Sequence, residues 1–185
     1  MTYKEKRDHK FKILFMYDSM KSDIDTICMN YFANAPYEEE DNDNSYINDV
    51  SKAHKNVAKI RIDEEDNVIE NESDKAIYIS LDHDDDVRDI KNKVKDLISK
   101  TDEIDKLIKD SLTSWDISRV GKAELTIIRL ALYEIYFDKS IDAPVAINEA
   151  VELSKVYGDD KASKFVNGVL STIYNHERST HSITT

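Results

Sequence analysis

Cysteine, glycine, proline and tryptophan are all scarce in this 185-residue chain, at one, three, two and one residues. A single cysteine, Cys28, rules out an internal disulfide and gives no metal-ligand spacing. Its neighbours Ile24, Ile27 and Tyr31 predict a buried small apolar residue over a reactive thiol. Glycine and proline break helices, so their rarity favours long helices joined by short polar connections and argues against a turn-rich sheet protein. No run approaches the roughly 18 apolar residues of a membrane span, and the start of the chain shows no apolar leader segment. A reducing, cytoplasmic setting and no membrane partner are the expectation.

Enzymatic signatures are missing too. There is no HExxH, CxxC, GxSxG or phosphate-loop spacing, and the five histidines (9, 54, 83, 176, 181) are scattered without helical pairing. Asp82, Asp84 and Asp86 match the first alternating positions of a calcium loop, but Val87 and Lys93 stand where glycine and glutamate are required. Asp41, Asp43 and Ser45 fail likewise, with Tyr46 and Lys52 at those places. No catalytic residue, metal or cofactor is expected.

What the chain does have is charge, unevenly placed. The formal net is −12, yet residues 38–86 alone hold 17 acids and 5 bases, and the remainder balances at 21 of each. Residues 1–21 carry six bases (Lys4, Lys6, Arg7, Lys10, Lys12, Lys21) against Glu5, Asp8 and Asp18. This is a neutral body with a basic start and an acidic insert. Local distribution, not the whole-chain balance, sets the field at a binding surface.

Apolar periodicity predicts about seven helices and an all-α fold of two packed bundles, since each stripe needs another helix to cover it. Phe11, Leu14 and Phe15 mark a first helix over 5–20, with Lys4, Arg7 and Lys10 every third residue on what reads as a different side. Asp23 is placed to cap a second helix to about Ala33, ended by the Pro36 segment. Residues 37–45 read as a charged loop, and Tyr46, Val50, Ala53, Val57 and Ile60 predict a helix. Residues 61–86 fit a small hairpin or an acidic loop about equally. Val87 to Ile98 mark a helix that Ile104 to Leu112 continue or follow, with Asp102 as a candidate helix entry. Leu125, Ile128, Leu132 and Ile135 mark a helix over 120–137. Asp142 and Pro144 open another over 145–157, with Gly158 as its stop, and the last runs from Lys161 to Tyr174. The expected division is therefore 1–35, an acidic insertion 36–86, a helical bundle 87–175 and a frayed polar tail 176–185.

Four segments carry a resemblance. They are Lys6-Arg7 through Leu14-Phe15-Met16-Tyr17; the run from Ala123 to Glu134 with its Arg129-Leu130-Ala131-Leu132-Tyr133-Glu134 core; Pro144-Val145-Ala146-Ile147-Asn148-Glu149-Ala150-Val151-Glu152-Leu153-Ser154-Lys155; and Lys164-Phe165-Val166-Asn167-Gly168-Val169-Leu170. Together they resemble the NusB family of bacterial transcription antitermination factors, the third and fourth segments most specifically. Two departures stand out: residues 37–86 look like an enlargement, and Glu5 and Asp8 interrupt an arm that the family usually fills with arginine. The same fold occurs fused to RNA cytosine methyltransferases, but no second domain or glycine-rich cofactor loop is seen here. A stand-alone factor is expected. The resemblance implies a partner, the ribosomal protein NusE, a boxA-type single-stranded RNA as ligand, and a place in the transcription elongation complex.

On that reading Lys4, Lys6, Arg7 and Lys10, with His9 nearby, are candidate phosphate contacts; the bland alternative is a solvated helix face. Lys161, Lys164 and Phe165 begin the last helix, where free N–H groups suit phosphate and an aromatic can stack on an unpaired base. Phe165 also fits as plain core. Asn167-Gly168 reads as a packing device, with Gly168 allowing a close helix approach. Glu124, Arg129 and Glu134 are candidate partner-binding residues, although Arg129 also suits a structural tie of one bundle to the other through loop carbonyls or an acid. Asn148 and Glu149 read as capping and bundle contacts, and Trp115 as a lid on the core. A pure protein-interaction module and a self-associating homodimer that masks the basic arm are the rival expectations.

Overall fold

A computed structural model describes residues 1–20, 22–34, 84–112 and 116–182. Among the described residues every regular element is helical, as the apolar spacing predicts. The calls on a helix over 46–60, on a hairpin or loop over 61–86 and on Trp115 lie outside the described residues, apart from the end of the acidic stretch. The chain divides into two compact units, Met1–Asn92 and Lys93–Thr185.

In the first unit, α1 (Tyr3–Met20) and α2 (Ile24–Asn34) pack together, and α3 (Asp85–Ser99) begins there. Each start is fixed by a short polar side chain. Thr2 Oγ1 accepts the Glu5 N–H at 3.2 Å while Glu5 Oε2 accepts the Thr2 N–H at 2.6 Å, a reciprocal cap that satisfies two otherwise unbonded donors. Asp23 Oδ2 accepts from the Thr26 N–H at 3.0 Å, as its position predicts. Asp84 Oδ1 accepts from the N–H groups of Asp86 (2.8 Å) and Val87 (3.1 Å) and so sets where α3 begins. Phe11, Ile13, Leu14, Ile27, Cys28, Phe32, Val87 and Ile90 are buried, Cys28 among them as its apolar neighbours predict.

The second unit holds the rest of α3, then α4 (Thr101–Ser111), a 3-10 turn (Ile117–Arg119), α5 (Lys122–Tyr133), α6 (Ala143–Tyr157) and α7 (Ala162–Ser182). Ile104, Ile108, Ile128, Leu130, Leu132, Val166, Leu170 and Ile173 form its buried interior. Ala146, Ala150 and Ser154 recur every fourth residue along the buried side of α6, and their small size lets α7 lie close.

Several boundaries differ from expectation, each for a physical reason. Asp102 does not open α4, which begins at Thr101 with no side-chain cap bond at Lys100. Asp142 stands at the N-cap of α6 but makes no side-chain cap bond, and Pro144 in the first turn supplies the preset φ instead. Gly158 ends α6 in extended geometry (φ −97°), so the residue is chosen there by space and not by a left-handed backbone. α7 does not fray at Tyr174: Ser179 Oγ and Thr180 Oγ1 bond back to the carbonyls of Asn175 and Glu177 at 2.9 Å, and the helix continues to Ser182. Finally, α5 passes into a π turn over Glu134–Asp138, closed by the Lys139 N–H donating to the Glu134 carbonyl at 2.9 Å.

Two phenols lie along this stretch. Tyr133 donates to Asp96 Oδ2 at 2.7 Å, whereas the buried hydroxyl of Tyr136 has no hydrogen bond among the described residues. Burial pushes the Tyr136 phenol up to about 12. An unfolded tyrosine ionises near 10. The unfolded chain therefore loses this proton first, and the contribution to stability declines as pH rises from about 10 to 12. Tyr136→Phe removes an unbonded buried hydroxyl and is expected to stabilise the protein by about 1 kcal/mol at pH 8. It is also expected to flatten the alkaline decline without abolishing it, because Tyr133 is shifted upward as well, burial being the largest cause. Urea denaturation at pH 8 and pH 11 checks both; a loss of stability at pH 8 would refute the account.

Candidate nucleic-acid interface

In the first unit the basic arm is not one solvent-facing stripe. Lys4 is exposed and Lys6 partly so, but Arg7 and Lys10 are each only 2% exposed. The reason is register: Arg7, Lys10, Phe11 and Leu14 are spaced three, one and three apart, which places both cations in line with the buried apolar residues of α1. Long aliphatic stems allow lysine and arginine to lie along apolar surface in this way. The Lys10 ammonium sits 5.5 Å from the centre of the Tyr3 ring, within cation–π range. Lys12, on the next turn, pairs with Asp8 at 2.9 Å.

Lys6 is engaged differently. Its Nζ lies 2.6 Å from Asp86 Oδ1 and 3.5 Å from Asp89 Oδ2, and the other Asp86 oxygen takes the Met1 amine at 2.6 Å. The hydrogen bond with Asp86 raises the Lys6 ammonium above its ordinary range, and the bond with Lys6 holds the Asp86 carboxyl below its own. Nothing in the local sequence announces this contact, since 80 residues separate its two sides. Of Lys4, Lys6, Arg7 and Lys10, the cations that reach solvent are thus Lys4 and a Lys6 already facing two carboxylates.

In the second unit Lys161 and Lys164 are exposed and Phe165 is half-buried at the beginning of α7. The helix start is not bare. Asp159 Oδ1 accepts the Lys161 N–H at 2.8 Å, so one of the donors that sequence reading offers to a phosphate already holds a carboxylate. Gly168 is exposed, and a Cβ added to it would meet nothing within 4 Å. This overturns the packing role assigned to Asn167-Gly168: both are exposed, and among the described residues no helix approaches Gly168.

The three residues expected to meet a protein partner are drawn largely into the fold of the second unit. Glu124, third residue of α5, folds its carboxylate back over Gly121 and near Gly158. Arg129 grips Asp105 of α4 through two parallel hydrogen bonds, Nε to Oδ1 at 2.9 Å and Nη2 to Oδ2 at 2.8 Å. The acid partner is as expected, but the bond joins two helices of one unit instead of tying one bundle to the other. Glu134 is fully enclosed at the start of the π turn. Among the described residues no group of three metal-ligating side chains comes together. Exposed ammonium groups near an aromatic ring offer electrostatic holding and stacking.

Comparison with known proteins adds the following. The model of the NusB family matches residues 4–175. Transcription antitermination protein NusB of Carboxydothermus hydrogenoformans is 43% identical over 83 residues, which is 45% of this chain and 58% of that protein. The protein of the same name from Halalkalibacterium halodurans is 39% identical over 108 residues, 56% of this chain and 78% of that one. For several such relatives the chain spans less than two-thirds of their length. A crystal structure of antitermination factors NusB and NusE in complex with dsRNA is similar with a TM-score of 0.57 and 25% identity, covering 95% of this chain and 99% of that one.

Proposed function

Because this chain belongs to the NusB family, we propose that it is a non-enzymatic transcription antitermination factor of the cytoplasm. It binds a boxA-type single-stranded RNA together with ribosomal protein NusE and joins the elongation complex. The observation that carries this reading is the family match, which runs from residue 4 on the basic arm to residue 175 within α7. The similar solved complex, which holds NusE and dsRNA, supports NusE and RNA as the partner classes. In this reading Lys4, Lys6, Lys161 and Lys164 hold phosphates, with Phe165 stacking on a base. Arg7 and Lys10 add positive field from beneath α1. Glu124, Arg129 and Glu134 shape the helix that the NusE-facing surface is built on. Two weak surfaces engaging one assembly reinforce each other by raising effective concentration.

The burial of Arg7 and Lys10 favours a second reading, a protein-interaction module of the same fold that does not touch RNA. One titration separates the two. A boxA-like RNA is titrated with and without NusE, at two salt concentrations, against the wild type and a Lys4→Glu/Lys6→Glu variant of verified helicity. RNA binding is expected to weaken with salt, to tighten when NusE is present, and to fall at least about tenfold in the variant. NusE binding with no salt-dependent RNA affinity would leave only the second reading.

A further inference from the structure

We propose that Asp86 and Asp89 are a built-in competitor for the RNA backbone, occupying the Lys6 ammonium until a phosphate displaces them. The inference rests on the assignment of Lys6 to RNA made above.

The geometry has three parts, all within the first unit. Lys6 Nζ faces both carboxylates, at 2.6 and 3.5 Å. Those carboxylates sit in the first turns of a capped helix: Asp84 accepts from the N–H groups of Asp86 and Val87 and so fixes where α3, with Asp86, begins. Finally, all three side chains still reach water, at 25%, 31% and 38% exposure, so the pairing is screened and can exchange quickly. A carboxylate and a phosphodiester offer the same ammonium the same kind of charge-assisted hydrogen bond. One can therefore replace the other without moving a helix.

The effect is a threshold. With Arg7 and Lys10 buried, Lys6 is half of what the arm quartet displays, and two acids stand against it. Of that quartet, a stray polyanion meets little more than Lys4. An RNA already held elsewhere on the protein has the effective concentration to displace the acids.

The test is a double-mutant cycle on the full chain, read by boxA-like RNA affinity at several salt concentrations. Asp86→Asn/Asp89→Asn is expected to tighten binding by about threefold to tenfold. It is also expected to steepen the salt dependence by about one unit of slope, because Lys6 then neutralises a phosphate instead of a carboxylate. In a Lys6→Gln background the same two substitutions are expected to change affinity by less than about twofold, since the competed group is gone.

An equal gain in both backgrounds means a general loss of negative charge and overturns the proposal. No gain with Lys6 present, while Lys6→Gln itself weakens binding, overturns the competitor but leaves the RNA assignment standing. No effect of Lys6→Gln at all removes that assignment and the competitor with it. Asp89→Asn alone, which leaves the first turn of α3 intact, gives a smaller gain of the same sign should the double variant lose helicity.

Discussion

Replacing Gly158 by alanine is expected to lower stability by about 3 kcal/mol, at the upper end for overpacking a filled site. The added Cβ would lie 2.2 Å from the Cβ of Ala162 and 2.7 Å from the carbonyl oxygen of Ser154. Ala162 is buried and Ser154 O is main chain, so neither can swing away as a flexible side chain would. For a chain of this size the melting temperature falls by roughly 6–12 °C. The companion variant has the opposite sign. Gly168→Ala fills open space on an exposed helical turn and is expected to gain about 0.5–1 kcal/mol through helix propensity. Thermal unfolding followed by circular dichroism compares the two directly. Equal melting temperatures for both variants would show that the space around Gly158 is not what selects glycine.

The second large effect lies at Arg129. Its two bonds to Asp105 are mostly shielded, with side-chain exposures of 17% and 19%. Arg129→Ala leaves the carboxylate of Asp105 without its fork of donors and is expected to cost about 2–3 kcal/mol, since a hydrogen bond to a charged group is worth more than a neutral one. Arg129→Lys should recover less than half of that, because one ammonium cannot make both bonds. Adding Asp105→Asn to Arg129→Ala is expected to cost little beyond either change alone, a coupling of roughly 2 kcal/mol in chemical denaturation. Strictly additive losses would dissolve the pair as an energetic unit. NusE affinity serves as a further readout: if Arg129 acts through the fold, affinity falls only as far as the folded fraction does.

These cases mark where the amino-acid pattern carries the answer and where it stops. The helices around Leu125, Ile128 and Leu132, and around Val166, Leu170 and Ile173, are legible because large aliphatic residues repeat at helical steps and all end buried, Leu125 in part. Asp23 is legible as a cap because the donor it meets is three residues away. Thr2 and Glu5 show the same local signature. A charge count treats Glu5 only as an acid interrupting a basic arm, yet it is the reciprocal cap that starts α1. Arg7 and Lys10 mislead because residue type says solvent while register says core. The rest is non-local. Arg129 has many acids to choose from, and nothing in the order of residues selects Asp105, 24 positions earlier. Lys6 and Asp86 are farther apart still.

The turn at Glu134–Asp138 has a consequence for how relatives of this chain are aligned. A turn closed five residues back holds one residue more than an α-helical turn, so every side chain beyond it is advanced by about a hundred degrees around the axis. Phe137 lies within this turn, stacked 6.2 Å from Tyr133 and beneath the ammonium of Lys100. Deleting one amino acid here would leave composition and apolar content almost untouched while turning the side chains beyond it around the axis. A gap of a single column at this place is therefore a structural event, although an identity score would hardly register it.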